Sequence, residues 1–338
     1  MSPMSLVGTA SYLPETVVDG AFFGAAPGKG GMFRGPRERR HVAKGESAAD
    51  MIEKATGKLA GRLGIDPRKD IDILLTNVSL PDSPFTGCGA SVSRRLGCKP
   101  KWILDLHNSG CVSFVYMMDV ARALMATGAA KTALVCNVQS SAGRVFSHPD
   151  NRSRAQSAVP GDGCGVGYLV ANDESPVRSI VTRSYGEYAD DMRVASDDGN
   201  AWWEPRSTPV YIDFSEDRVA AVVARGNALV PEVIREACRA AEIKTAEIDV
   251  LVTNQPNLVF LRNWREALLV PKEAQVETFE EHGNLFGAAI PISFERAVES
   301  GRLKRGDHVA LGGFSHAGDY AAAAIVHWQP LQTTDHRP

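Results

Sequence analysis

Asn108-Ser109-Gly110-Cys111 leads into a helix-forming stretch that runs out at Gly128, seventeen residues after Cys111. His282-Gly283-Asn284 leads into another that runs out at Gly301, again seventeen residues after Asn284. An apolar, strand-forming segment follows each, Thr132 to Cys136 and His308 to Leu311. A second echo lies upstream: Ile71-Asp72-Ile73-Leu74-Leu75-Thr76-Asn77 against Ile248-Asp249-Val250-Leu251-Val252-Thr253-Asn254. The chain therefore reads as a duplication of one strand-and-helix unit. Two related halves facing each other would bring Cys111 and Asn284 to opposite sides of one pseudo-twofold centre. A thiol at a helix start, in a cleft, opposite an amide suits a covalent thioester intermediate.

Working outward, the first half alternates elements: strand 5–10, helix 47–63, strand 71–77, helix 87–96, strand 102–106, helix 111–127, and strands 133–138 and 165–170. The second half repeats the order: helix 218–241, strand 250–254, helix 257–269, strand 274–278, helix 284–300, and strands 308–311 and 321–328. The strands are near-continuous apolar runs, as expected of sheets covered on both faces. Residues 140–159 and 185–213 are polar and read as surface excursions near the cleft mouth. Residues 24–40 form a basic, glycine-rich loop, and the tail after Trp328 is expected to fray.

With 338 residues, 44% of them hydrophobic, the chain can bury a large core. A net charge of -3 gives no general attraction to nucleic acid or to an anionic membrane. No apolar run reaches the roughly 18 residues that a bilayer crossing needs. The six cysteines, at 88, 98, 111, 136, 164 and 238, show no CxxC and no ligand spacing with histidine. That pattern implies reduced thiols in a cytoplasmic protein and no metal site. The glycine string at Gly161 precedes a strand, which argues against a nucleotide site.

Taken alone, Cys111 is either a nucleophile activated by the helix dipole or a small buried hydrophobe. The flanking Cys111-Val112-Ser113-Phe114-Val115-Tyr116 resembles the Cys-Ala-Gly-Phe-x-Tyr nucleophile region of ketoacyl-ACP synthase III enzymes of the thiolase superfamily. Gly161-Asp162-Gly163-Cys164-Gly165 is similar to their Gly-Asp-Gly-Ala-Gly hairpin. His282-Gly283-Asn284, followed by Ala288 and Pro291, resembles His-Gly-Asn-x-x-x-Ala-x-x-Pro, and Gly35-Pro36-Arg37-Glu38-Arg39 resembles Gly-Ile-Arg-Glu-Arg. These matches run in the family's order over nearly the whole chain. The resemblance implies an α/β, thiolase-like fold of two pseudo-repeated βαβαβαββ halves, 1–172 with the nucleophile and 173–338 with the asparagine and oxyanion loop, in a five-layer αβαβα core.

The resemblance also implies site residues. Cys111 and Asn284 carry over as catalytic. The family's histidine stands in a His-Gln-Ala-Asn string, which here reads Asn254-Gln255-Pro256-Asn257. Asn254 therefore takes the imidazole's place; an amide can donate a hydrogen bond but cannot exchange a proton near neutral pH. The family's glycine loop beside the nucleophile reads Phe314-Ser315-His316-Ala317-Gly318. The backbone of Cys111, Ser315, His316 and Ala317 is the expected oxyanion hole. His316 is either a relocated general base or a packed loop residue, and His107 is read as structural. Arg154 matches the arginine that stacks on the adenine of coenzyme A; Arg37, Arg262 and Asn257 are the further contacts to the carrier, the family's arginine after the string being Val259 here. Phe85 falls where the family inserts a residue into the partner's acyl pocket, implying a homodimer, although a core phenylalanine has the same appearance. Trp202-Trp203 either wall the channel or cover an apolar patch.

The leading functional expectation is an acyltransferase of specialised metabolism, of the kind found in polyketide or fatty acid biosynthesis. It takes an acyl group from an acyl-CoA or acyl-carrier-protein thioester onto Cys111 and passes it to a small-molecule acceptor. Coenzyme A or phosphopantetheine enters as substrate, and no cofactor is bound permanently. The first alternative is Claisen-type condensation with a malonyl or β-keto thioester. The second is a non-catalytic partner subunit of a synthase heterodimer, which would not need Cys111 or Asn284.

Overall fold

The computed structural model describes residues 3–24, 33–214 and 218–330. Residues 25–32 of the basic loop and the tail from 331 lie outside the described residues. The elements of the first half are Ser5–Tyr12 (β1), Thr16–Asp19 (β2), Glu38–His41 (β3), Ala48–Leu63 (α1), Ile73–Val78 (β4), Gly89–Leu96 (α2), Trp102–Asp105 (β5), Ser113–Met125 (α3), Thr132–Gln139 (β6) and Gly163–Val170 (β7). Those that follow are Val177–Ser184 (β8), Met192–Ala195 (β9), Tyr211–Phe214 (β10), Val219–Ala240 (α4), Val250–Thr253 (β11), Leu258–Leu268 (α5), Phe279–His282 (α6), Ala289–Glu299 (α7), His308–Ser315 (β12) and Tyr320–His327 (β13).

One sheet has the order β1-β7-β6-β4-β5 and the other β11-β12-β13-β8. In each, parallel pairing (β4 with β5 and β6; β11 with β12) gives way to antiparallel pairing towards the other edge. Between the sheets lie α3 and α7, whose Phe114, Met118, Ile290 and Phe294 share one core with Leu75 and Val135 on one side and Val252 and Leu311 on the other. On the outer face of the first sheet, Met51, Ile52 and Leu59 of α1 pack with Val92 of α2. On the outer face of the second, Val230 and Ile234 of α4 pack with Leu261 and Trp264 of α5. The result is the expected five-layer α-β-α-β-α, thiolase-like stack. Strands buried on both faces explain why they read as unbroken apolar runs. Helix α1 starts where Ser47 and Asp50 form a reciprocal capping box and stops at Gly64 with φ 68°.

Several boundaries differ from the sequence expectation. The strand expected at 274–278 is a short turn, Lys272–Ala274, and one isolated bridge from Leu251 to Gln275. The buried Gln255 side chain explains this: it donates to Val276 O and accepts from Thr278 N–H, replacing strand partners. The helices expected from Cys111 and Asn284 start later, at Ser113 and Ala289, each preceded by a tight 3-10 turn. Strand β8 was missed. It pairs with β13, and only Val177, Ser179 and Val181 along it are buried. That period-two pattern was its available signal.

Candidate active site

Residues 110–112 form a 3-10 turn between β5 and α3, the turn expected to carry the nucleophile and called the nucleophile turn below. Ser109 (φ 63°) and Gly110 (φ 32°) both adopt left-handed backbone, which turns the chain sharply enough to present Cys111. Asn77, at the end of β4, ties the turn down by donating to Leu106 O at 2.7 Å and Asn108 O at 3.2 Å. A Cβ on Gly110 would overlap Ser315 Oγ and lie 2.8 Å from His316 Nε2, so the imidazole sits directly against the turn. Cys111, Asn254, Asn284 and His316 all line one cavity of about 290 Å³. His107, the weaker candidate of the sequence reading, lines it too and is exposed.

The electrostatics correct one expectation. Cys111 lies on the 3-10 turn and not inside the first turn of α3. Desolvation pushes its thiol up to about 12, and the Asp319 carboxylate adds to the rise. The His316 N–H and the Asn254 amide pull in the opposite direction without overcoming it. A thiol held neutral in this way needs a base to take its proton.

The oxyanion donors also differ from expectation. The Cys111 N–H is occupied by Ser315 Oγ at 3.1 Å. Ser315 thus contributes its hydroxyl, and Ala317 has its carbonyl held by Arg225 Nε at 3.0 Å. Neither Ser315 nor Ala317 lines the cavity. His316 N–H faces the nucleophile and remains a donor to it. Asn284 Oδ1 accepts from Phe286 N–H at 3.0 Å, leaving its Nδ2 group as the donor for the cavity. Asn254 is 1% exposed; its Nδ2 donates to Phe314 O at 3.2 Å and its Oδ1 has no partner.

Part of the apolar cavity wall comes from the two polar excursions and the strand that ends the second. Phe146 and Val159 lie on the first, and Met192, Val194, Ile212 and Phe214 lie on the β9–β10 hairpin of the second. These apolar residues are spaced singly among charges, so the two segments read from sequence as polar excursions at the cleft mouth and not as its wall. Asp162, in the hairpin before β7, accepts from the N–H groups of Val42, Ala142 and Gly143, each at 2.8 Å, and so ties the first excursion to the core.

The residues expected to hold the carrier are not gathered at the cavity. Nη2 of Arg154 lies 2.8 Å from both oxygens of Asp197, and its guanidinium covers the Tyr211 ring at 3.5 Å. Arg37 and Arg262 are exposed and line no cavity wall. Asn257 does line it, while its Oδ1 caps α5 by accepting from Phe260 N–H. Phe85 is 96% exposed beside the edge strand β5, where Ile103 and Leu104 are each 37% exposed. It is therefore no core phenylalanine of this chain. Trp202 and Trp203 are 52% and 72% exposed and stack edge-to-face on each other, walling no channel. Among the described residues no cluster of three or more His, Cys, Asp or Glu could hold a metal. No helix among them is long and apolar enough to cross a membrane.

Fold and site together define a thiolase-fold protein with a cysteine on its nucleophile turn. Two family models match, 3-oxoacyl-[acyl-carrier-protein] synthase III over residues 104–186 and its C-terminal region over 238–328, together just over half of the chain. The chain belongs to the ketoacyl-ACP synthase III family. It is 27% identical over 329 residues to a β-ketoacyl-[acyl-carrier-protein] synthase III from Alkalilimnicola ehrlichii, covering 96% of this chain and 99% of that one. A solved β-ketoacyl-[acyl carrier protein] synthase III from Thermus thermophilus superposes with a TM-score of 0.80 at 26% identity, over 96% of this chain and 99% of that one. The priming β-ketosynthase of the R1128 polyketide biosynthetic pathway shares the fold, with a TM-score of 0.83 at 20% identity, over 97% and 96% of the two chains.

Proposed function

We propose that this protein is an acyltransferase in which Cys111 accepts an acyl group from a thioester and His316 serves as the base for its transfer to a small-molecule acceptor. The supporting observation is the His316 imidazole packed against the nucleophile turn, in a cavity where Asn254 carries no exchangeable proton. In the first half-reaction His316 takes the Cys111 proton, which the half-buried, desolvated thiol does not release readily. In the second it takes the proton of the acceptor. His316 N–H and Asn284 Nδ2 stabilise the charge that develops on the carbonyl oxygen. Residues 1–172 would supply the nucleophile, and residues 173–338 the asparagines and the base.

The donor is a coenzyme A or carrier-protein thioester. The engagement of Arg154 with Asp197 and Tyr211 favours the carrier protein, because adenine stacking would have to displace Tyr211. The exposed Phe85 and the apolar edge of β5 suit a second copy of this chain, which would make the protein a homodimer.

A second reading is decarboxylative condensation with a malonyl or β-keto thioester. The names of the relatives and the two amides, Asn254 and Asn284, beside Cys111 favour it. To test both, the protein and Cys111→Ala are incubated with a panel of acyl-CoA and acyl-carrier thioesters, and intact mass is recorded. A mass gain confined to the wild type is expected. No gain with any donor would overturn both readings in favour of a non-catalytic partner subunit. Carbon dioxide release from an added malonyl thioester at rates typical of synthases would select condensation.

A further inference from the structure

We propose that Asp319 is the positioning residue of this site: its carboxylate holds the His316 imidazole with a proton on Nδ1, leaving Nε2 as the proton acceptor beside Cys111. The inference rests on the reading of His316 as the base and extends it to a third residue. His316 Nδ1 lies 2.9 Å from Asp319 Oδ2 and 3.1 Å from Oδ1. An ionised carboxylate has no proton to give, so the hydrogen at this contact belongs to Nδ1. The neutral ring must then present a lone pair at Nε2, the atom facing Gly110 and the nucleophile turn. The Asp319 side chain is only 13% exposed, so its charge acts on the ring with little screening by water.

The connection between β12 and β13 that carries both residues is fixed at three backbone points. Gly318 N–H donates to Ser315 O at 2.8 Å, Arg225 Nε to Ala317 O at 3.0 Å, and Tyr185 N–H to Asp319 O at 2.7 Å. Tyr320 stacks edge-on against the imidazole, with ring centroids 6.0 Å apart. The ionisable groups around the pair are Cys111 on the turn, Tyr116 on α3, Tyr320 on β13 and Arg225 on α4. Arg225 is itself paired with Asp191.

The proton balance closes without another group. The Cys111 S–H proton passes to Nε2, and the resulting imidazolium lies between thiolate and carboxylate. Sγ attacks the donor carbonyl, the donor C–S bond breaks, and the departing thiolate takes the proton from Nε2. The acceptor's proton then moves to Nε2 as its heteroatom attacks the Cys111 thioester. The C–Sγ bond breaks, and Sγ leaves as the thiolate partner of the imidazolium, which returns the proton to it. An orienting carboxylate matters at both imidazolium stages.

The test needs no knowledge of the natural substrate. Iodoacetamide alkylation of Cys111 is followed by intact mass from pH 5 to 9 in the wild type, Asp319→Asn, Asp319→Glu and His316→Ala, with Cys111→Ala as the labelling control. The other described cysteines are buried and should stay unlabelled. In the wild type we expect a rate that rises through an inflection in the imidazole range. In Asp319→Asn we expect at least a tenfold slower rate at pH 7 and loss of that inflection, with Asp319→Glu recovering part of both. If Asp319→Asn fails to fold, Asp319→Glu decides: a retained inflection supports the proposal, and its loss overturns it. Wild-type behaviour of Asp319→Asn beside loss in His316→Ala would overturn the role of Asp319 while leaving His316 as base. Wild-type behaviour of His316→Ala would remove the base reading itself.

Discussion

Gly110→Ala probes whether His316 and Cys111 work as one unit, because the new methyl group would sit between them. The added Cβ would stand 2.8 Å from His316 Nε2, and ordinary contact begins at 3.4 Å, so the imidazole must retreat by about 0.6 Å. Ser315 Oγ must move further, which breaks its hydrogen bond to the Cys111 N–H. Alanine at φ 32° also enters left-handed backbone, at about 1 kcal/mol. The lost hydrogen bond adds about 1 kcal/mol. A stability loss of about 2 kcal/mol would lower the melting midpoint by a few degrees and leave the protein folded. Catalysis is more sensitive: displacement approaching 1 Å at a reacting centre costs about 100-fold. The assay is the rate of acyl loading on Cys111 by intact mass, then turnover with the identified acceptor, both corrected for folded fraction. Turnover within threefold of wild type, together with the expected loss of stability, would show that displacing the ring from the thiol is irrelevant and would refute the base assignment.

Arg154→Ala is expected to change KM for a coenzyme A thioester by less than threefold, since its guanidinium is already committed to Asp197 and Tyr211; a tenfold rise would restore the adenine-stacking role. Phe85→Glu should shift the protein from dimer to monomer in light scattering, and an unchanged mass would exclude this edge as the interface. His41 is buried beside Arg39, and desolvation pushes its imidazole down to about 4. Its stabilising contribution is present above its unfolded value of about 6.5 and is lost as pH falls through about 4, a change of up to about 3 kcal/mol. Asp162, pushed up to about 6 mainly by its own burial, works oppositely, losing stability as pH rises across nearly the same window. Urea unfolding of His41→Gln should therefore show a stability relative to wild type about 3 kcal/mol more favourable at pH 4 than at pH 7. A pH-independent difference would mean that His41 is not buried in its neutral form.

The layered core was legible because its determinants are local. Unbroken apolar runs mark strands covered on both faces, and the two seventeen-residue spacings place α3 and α7 as equivalent helices between the sheets. Strand β8 escaped because alternate residues of an edge strand stay polar, and the 274–278 segment misled because one buried amide, Gln255, takes over its backbone partners. At the site, Cys111, Asn254, Asn284 and His316 were found from sequence and do line one cavity. Asp319 was missed, although His316-Ala317-Gly318-Asp319 is a short turn that brings residues three apart together. The thiol's resistance to ionisation was also illegible, since the helix-start position suggests activation and only the packing around Cys111 reveals the desolvation that opposes it. The engagement of Arg154 was illegible for a related reason: its partners, Asp197 and Tyr211, lie 43 and 57 residues away and meet it through the β9–β10 hairpin.

On the proposed reading, His316 concentrates two tasks that could have been divided between separate residues. Its backbone N–H faces Cys111 and would serve as oxyanion donor, and its ring stands against the turn at Gly110 and would serve as the base. Holding both together requires a non-glycine residue at φ 49°, a conformation that costs about 1 kcal/mol. Glycine would remove that strain and keep the N–H, but it would leave no base in the loop. Asn254 cannot fill that role, because its buried amide is committed to Phe314 O and has no proton to exchange. His107 also lines the cavity, yet it sits on the exposed approach to the turn, and among the described residues no carboxylate hydrogen-bonds to its ring. On that reading the strain at position 316 serves proton transfer at Cys111, the step that the half-buried, desolvated thiol does not take readily alone.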